Sequence, residues 1–482
     1  MTPAGGSLTF LDVELEGRPG QCVEVVDGVV VHAGSPDDRP GDVRRRGRRS
    51  EVVDGRGGAL LPGLHDHHLH LLATAAAARS VDCAPPAVAD LGALGREVSR
   101  AAAAVSPAAW VRGIGYDDSL VGSLDAPILD GLLGPVADRP VRIRHRSGHR
   151  WVLNGAALAR VSAAIVRGEF DPGVFGAGTD LERGVVHGGD RELRAAWPGD
   201  TPPPLDGVGT ALARAGCTGV TDASPDTGAE DAATVARAQS TGALPQRVRL
   251  LGHAVPDRLE GRVTKGEVKL VLEEADLPSL EALAKEIAAA GRRGVALHCV
   301  GRAALVLAAT AVGRAGGGPH RIEHASVATP GAVELVAPLP VTVVTQPAFV
   351  ATHGDRYLRQ VEEDDRPWLY RLQGWLGAGV PLAGSSDAPY GPIDPWTAMR
   401  AAVNRRTAEG RPLGVAARLS PECALALYTG SLVSPGGPPR RVVAGEPADL
   451  CLLHERWSVA RRELHAGLVR ATFCDGVLVH GE

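Results

Sequence analysis

The chain has 482 residues, a formal net charge of −5, 44% hydrophobic residues and 22% charged residues. This is the balance of an ordinary soluble globular protein, and it excludes a disordered chain, a membrane-coating chain and a basic partner for nucleic acid. The length passes the ~250–300 residues at which one hydrophobic core stops growing, so one large domain with a satellite is expected.

The opening "MTPAGGSLTFLDVELEG" has no basic segment followed by an apolar one, and no later run reaches the ~18 apolar residues of a membrane span. A cytoplasmic protein without a membrane partner is expected, and a homo-oligomer is allowed. The seven cysteines are scattered and form no CxxC pair, so they read as reduced, mostly buried thiols. Lysine occurs only at 265, 269 and 285 among 51 basic residues, so a lysine inside an apolar strand asks for a reason.

Residues 1–60 read as short strands and turns, with an arginine-rich run at 44–49 best taken as a solvated turn. The far end, from about 435 to 482, reads alike, and the two halves are expected to pair into one small β-sandwich domain. Between them, eight apolar or β-branched runs alternate with Ala/Leu/Glu/Arg-rich helical stretches: "GALLPGLHDH", "CTGVTDA", "RVRLLGHAV", "GEVKLVL", "GVALHCV", "HRIEHAS", "VTVVTQP" and "VPLAGSSD". This rhythm predicts an α/β fold, a (β/α)8 TIM-like barrel over 61–434. A long insertion after strand 1, at about 73–209, carries strands of its own at "WVRGIGYDD" and "PVRIRHRSGHR" and is expected to act as a lid over the barrel mouth.

Active groups of such barrels sit at the carboxyl ends of the strands. The polar residues there are His68 and His70 on strand 1, Lys269 on strand 4, His298 on strand 5, His324 on strand 6 and Asp387 on strand 8. Four imidazoles, a carboxylate and a lysine on one rim suit zinc or a similar divalent ion. Strand alternation puts Asp66, His68 and His70 on one face and leaves His65 and His67 to face the helix layer or hydrogen-bond locally. The competing register, His65 with His67, places the ligands a step deeper.

The runs "LLPGLHDHHLHL", "VKLV", "ALHCVG", "RIEHAS", "TQPAF" and "GSSDAPYGP" resemble, in order and strand context, the motifs of the amidohydrolase superfamily. The branch they are most similar to is the one with N-substituted formamide deformylase-like enzymes (amidohydrolase family 3), whose His/Asn stretch is matched by "SGHRWVLNGAAL". The resemblance implies one or two metal ions, with His68 and His70 on the first, His298 and His324 on the second, and Lys269 between them as a carbamate formed with CO2. The residues make this reasonable, because an amine buried in an apolar strand has a lowered pKa and a neutral fraction that can add CO2. A snorkelling or salt-bridged lysine is the alternative.

Asp387 suits a base that takes the proton of a metal-activated water and returns it to the leaving nitrogen; a helix cap or a salt bridge is its other reading. His149 and Asn154 are candidates for substrate binding if the insertion folds over the mouth, although Asn154 equally fits a helix cap. The chain departs from the branch in the single helix between Lys269 and His298, and in Arg302 where relatives tend to carry an acid. Arg302 and Arg356 could receive an anionic substrate group. The expectation is a metal-dependent hydrolase of a non-peptide C–N bond in a small amide, N-formyl compound or cyclic amide. A deaminase acting on a ring C=N carbon is the runner-up, and a non-catalytic metal-binding barrel the third reading.

Overall fold

The computed structural model describes residues 6–38, 50–85, 87–106, 109–176, 178–189, 192–193 and 202–481, so the arginine run at 44–49 lies outside the described residues. The chain divides into two compact units, one of residues 1–71 with 204–482 and the other of residues 72–203.

The first unit begins with β1 (Ser7–Leu15), β2 (Arg18–Val26), β3 (Val29–Gly34) and β4 (Ser50–Asp54), a sheet in the order β3-β2-β1-β4. After β5 (Leu60–Pro62) the chain enters β6 (Leu64–Leu69), whose six residues are all buried. The second unit carries β7 (Val81–Asp82), β8 (Val111–Tyr116), β9 (Val141–His145), β10 (Arg150–Leu153) and β11 (Val185–His187) in one sheet of order β11-β10-β9-β8-β7. The two strand-like runs expected within the insertion are therefore strands, β8 in one and β9 with β10 in the other.

Back in the first unit come β12 (Cys217–Asp222), β13 (Arg247–Leu250), β14 (Val263–Lys265), β15 (Val268–Val271), β16 (Val295–Cys299), β17 (His320–His324), β18 (Val341–Thr345) and β19 (Leu382–Gly384). These strands fall in the runs read from the sequence except β14, which lies just before the fourth run and was not expected; that run forms β15. They form two sheets with parallel pairing throughout, β14-β13-β12-β6 and β15-β16-β17-β18-β19. Backbone bonds from Asp387 N to His68 O (2.8 Å) and from His70 N to Ala388 O (2.9 Å) tie the segment after β19 to the end of β6. The result is a mixed α/β fold consistent with a TIM-barrel-type hydrolase.

Between strands the helices bury one stripe. In Leu280–Ala289, for example, Ser279 caps the amino end by accepting from Ala282 N, and Leu283, Ala284 and Ile287 face inward. The chain closes with β20 (Leu450–Leu453), β21 (Val469–Cys474) and β22 (Val477–Gly481), in a sheet of order β22-β21-β20-β5. Residues from both ends of the chain share one apolar core, where Phe10 meets Phe473 edge-on at 5.0 Å. Among the described residues no helix is long and apolar enough to cross a membrane, and all seven cysteines are free, only Cys423 being exposed.

Phe10 is fully buried, so Phe10→Ala should cost about 3–5 kcal/mol through the lost ring and the cavity it leaves. A thermal melt should show a clearly lowered transition, and an unchanged melting temperature would mean that the two chain ends do not depend on this contact.

Candidate metal centre

The end of β6 does not follow simple alternation. Its pairing with β12 runs Cys217↔Leu64, Gly219↔His65, Val220↔Asp66 and Asp222↔Leu69, so one extra residue sits on β12 early and one on β6 later. Each irregularity turns the side-chain sequence by one position. His65 and His67 therefore do not face the helix layer, which corrects the sequence reading. The His65 ring lies against Gly219, where an added Cβ would stand 2.5 Å from it. The His67 ring lies in the field of Arg321 and Glu323 on β17. Burial holds both imidazoles below their usual pKa, His67 at about 3, and neither takes part in the cluster below.

His68 and His70 are brought to Asp387. His68 Nε2 stands 3.4 Å and His70 Nε2 3.3 Å from Asp387 Oδ1, while His324 Nδ1 is 4.0 Å from Oδ2. The rings follow one another, with centroids 5.4 Å apart for His68 and His70, 4.9 Å for His68 and His324, and 4.4 Å for His298 and His324. His68, His70 and Asp387 by themselves offer ligand atoms within 4.8 Å of one another. Lys269 is buried, and its Nζ has no hydrogen-bond partner among the described residues. Burial is the main force lowering its pKa, with Arg321 acting in the same direction against the Glu323 and Asp387 charges. Its own charge acts on His68 and His324.

Several features fit a cation at this point. His324 places Nδ1 2.8 Å from the Gln346 amide oxygen, which fixes Nδ1 as the donor and leaves Nε2 a buried lone pair without a partner. Burial pushes the Asp387 carboxyl up, yet hydrogen bonds from His68 and His70 and the imidazole charges outweigh it and hold the group well below the usual range. Burial and Lys269 push His68 down, yet Glu323 and Asp387 prevail and raise it. The surroundings thus favour positive charge between these groups. His324 and Asp387 both have positive φ, at 68° and 53°, a conformation uncommon outside glycine, though His and Asp adopt it more readily than most, and concentrated at functional sites.

Outside the cluster, sequence reasoning missed three supports. Glu323 Oε2 lies 2.5 Å from His68 Nδ1. Arg321 holds Glu323 at 2.8 Å through Nε, donates through Nη2 to the His67 carbonyl at 2.6 Å, and stands 3.9 Å from Glu267, which Arg249 grips at 3.1 and 3.2 Å. Ser224 Oγ lies 3.1 Å from His70 Nδ1, and Gln346 serves His324. The signal for Glu323 was present in "RIEH", where two opposite charges stand two apart on a strand too apolar to hold either alone.

The remaining candidates fare differently. Asn154 is fully buried and its amide is spent on the fold, accepting from Val141 N and Ala157 N and donating to the carbonyls of Ala137 and Arg139. It is a helix cap and strand tie rather than a substrate ligand, which corrects that expectation. His149 is exposed in the second unit. Arg302 pairs with Asp365 at 3.2 Å, which takes up its charge, and Arg356 rests 5.3 Å from the Tyr357 ring. A second His/carboxylate group, Asp117, Asp118 and His145, is already met by Arg146 at 2.6 Å and Arg150 at 2.8 Å and reads as an ion-pair network.

The amidohydrolase family profile matches residues 51–480. The chain belongs to the amidohydrolase family. It is thus an enzyme, a hydrolase of carbon–nitrogen bonds. It is 27% identical over 491 residues to the N-substituted formamide deformylase of Arthrobacter pascens, covering 89% of this chain and 90% of that protein. It is 24% identical over 517 residues to the putative amidohydrolase YtcJ of Bacillus subtilis (strain 168), covering 96% and 97%. In fold it is similar to an uncharacterised metal-dependent hydrolase from Pyrococcus horikoshii OT3, with TM-score 0.71, 20% identity and coverage of 98% and 100%. A counterpart from Pyrococcus furiosus gives TM-score 0.67, 22% identity and coverage of 92% and 97%.

Glu323→Gln keeps the shape beside His68 but removes the charge. Groups that orient a metal-bound histidine are typically worth about 10–100-fold in metal affinity, and a loss of that size is expected on titration with a graded chelator. Unchanged affinity would reduce Glu323 to a packing role.

Proposed function

We propose that this amidohydrolase is metal-dependent and cleaves a non-peptide C–N bond in a small molecule, an amide, an N-formyl compound or a cyclic amide. The observation that carries this is the gathering of His68, His70 and His324 at Asp387, with His298 against His324 and the buried Lys269 amine without a hydrogen-bond partner among the described residues. The nitrogen-rich donor set suits Zn2+, one or two per subunit. His68 and His70 would hold one ion and His298 and His324 the other, and Lys269, once carbamylated, would offer its oxygens as further ligands. The metal supplies Lewis acidity toward the carbonyl and a water acidic enough to react near neutral pH.

The chain's own residues supply the rest. The lowered pKa of Lys269 leaves a neutral fraction whose lone pair bonds to the carbon of CO2; loss of a proton to solvent gives a side chain ending in two oxygens. Asp387, held ionised by His68 and His70, accepts the proton of the attacking water and delivers it to the departing nitrogen. Glu323 and Gln346 fix the tautomers of His68 and His324. A lysine within the ring cluster favours amide cleavage over ring deamination. Residues 61–434 are read as the barrel, residues 1–60 with 435–482 as the β-sandwich domain, and the segment at about 73–209 as the lid. The name of the Arthrobacter relative makes N-formyl compounds the first class to screen, alongside N-acyl and cyclic amides.

Lys269→Ala should lose at least one metal equivalent by elemental analysis and regain part of its activity with added short carboxylic acids. Full metal content and full activity in that variant would end the bridging role. Asp387→Asn should keep its melting temperature and substrate binding while kcat falls by at least the ~10²–10⁴-fold typical of general acid–base help. A lowered melting temperature with normal turnover per folded molecule would mark Asp387 as a structural cap instead.

A further inference from the structure

A cavity of about 480 Å³ opens at the end of the first unit opposite the metal centre. Its walls come from Pro62 at the end of β5, from Val248 and Val263 at the amino ends of β13 and β14, and from Leu432, Pro447 and Leu450 of the C-terminal segment. His65 is one of its buried lining residues, together with Val248, Val263, Leu432, Asp449 and Leu450.

Four arginines border this space, and three are already answered. Arg247 pairs with Asp449 at 2.6 Å and with Asp475, Arg262 with Asp475 at 2.6 Å, and Arg441 with Glu16. Arg440 has no carboxylate within ion-pair distance among the described residues. Its Nη2 donates to Gly63 O and its Nε weakly to Gly430 O at 3.4 Å, while Nη1 has no hydrogen bond to any described residue. Asp449 and then Glu446, both on the cavity wall, act on Arg440 beyond ion-pair distance, and Asp449 is already held by Arg247. A half-buried guanidinium whose counter-charges stand beyond ion-pair distance is incompletely answered, and its fork of donors matches a carboxylate. The volume lies within the ~300–1,000 Å³ range typical of small-molecule sites, and the walls combine valine, leucine and proline with charged and polar side chains.

We propose that this cavity is a second ligand site, separate from the metal centre, which binds a small monocarboxylate through Arg440 and houses its compact apolar body against Val248, Val263 and Leu450. The planar fork fits carboxylate and phosphate alike, but a phosphate's greater charge and hydration gain nothing from the apolar part of the wall. The site uses no residue of the metal cluster and stands or falls independently of it.

Benzoate is a suitable probe, with benzyl alcohol as the neutral counterpart and inorganic phosphate as the anion without an apolar body. Calorimetric titration of the metal-loaded full chain should show benzoate binding and neither control. Arg440→Met should weaken it at least tenfold, and Thr264→Trp, at an exposed wall position, should block it even if the arginine variant folds poorly. His70→Ala should bind benzoate as the wild type does. Absence of benzoate binding, equal binding by Arg440→Met or by Thr264→Trp, tighter binding of phosphate, or loss in His70→Ala, which would place the anion at the metal centre, each overturns the proposal.

Discussion

The hydrogen bond between Glu323 and His68 is the contact on which the rest of the centre depends. It joins the last turn of β6 to β17 across the strand array and fixes which nitrogen of His68 is turned toward Asp387. Behind it stands a line of alternating charge, Arg321, Glu267 and Arg249, reaching toward the other end of the strands. A barrel interior is ordinarily filled by layers of branched apolar side chains. Replacing part of that filling with ion pairs is a poor route to stability, since desolvation consumes most of the Coulomb gain. What the line provides is direction, because each charge is satisfied only when its neighbours hold one geometry.

Much of the site was legible in the sequence because its chemistry conflicts with its surroundings. A lysine in "VKLV" or a pair of histidines in an apolar run is expensive unless it has a purpose, and the residues so marked came together. Period-two reasoning failed where the backbone departs from an ideal strand. Two compensating irregularities between β6 and β12 let His65 and His67, as well as His68 and His70, avoid the helix layer. The left-handed φ of His324 lets this residue and its neighbour Glu323 serve the same centre, which an unbroken strand would forbid. His324 has no glycine or proline to announce its turn, although Gly219 stands at the first irregularity.

Asn154 teaches the converse. A histidine–asparagine stretch before a helix attracts attention as a binding motif, yet the asparagine amide is saturated by four backbone groups. Counting donors and acceptors decides such a case, and only coordinates allow the count. The same count separates the ion-pair network of Asp117, Asp118 and His145 from a ligand set, since guanidinium groups already occupy its carboxylates.

The backbone tie between Asp387 and His68 and the bond from Ser386 N to Asp66, which spans 320 positions of sequence, bear on how the enzyme comes into being. On the ribosome, the first parallel strand emerges long before the last one has been translated. The pairing of β5 with β20 imposes the same wait on the terminal sheets. A nascent chain halted before β19 would hold Glu323 beside His68 but have no Asp387 for His68 and His70 to meet, so the assembled cluster belongs to the finished polypeptide.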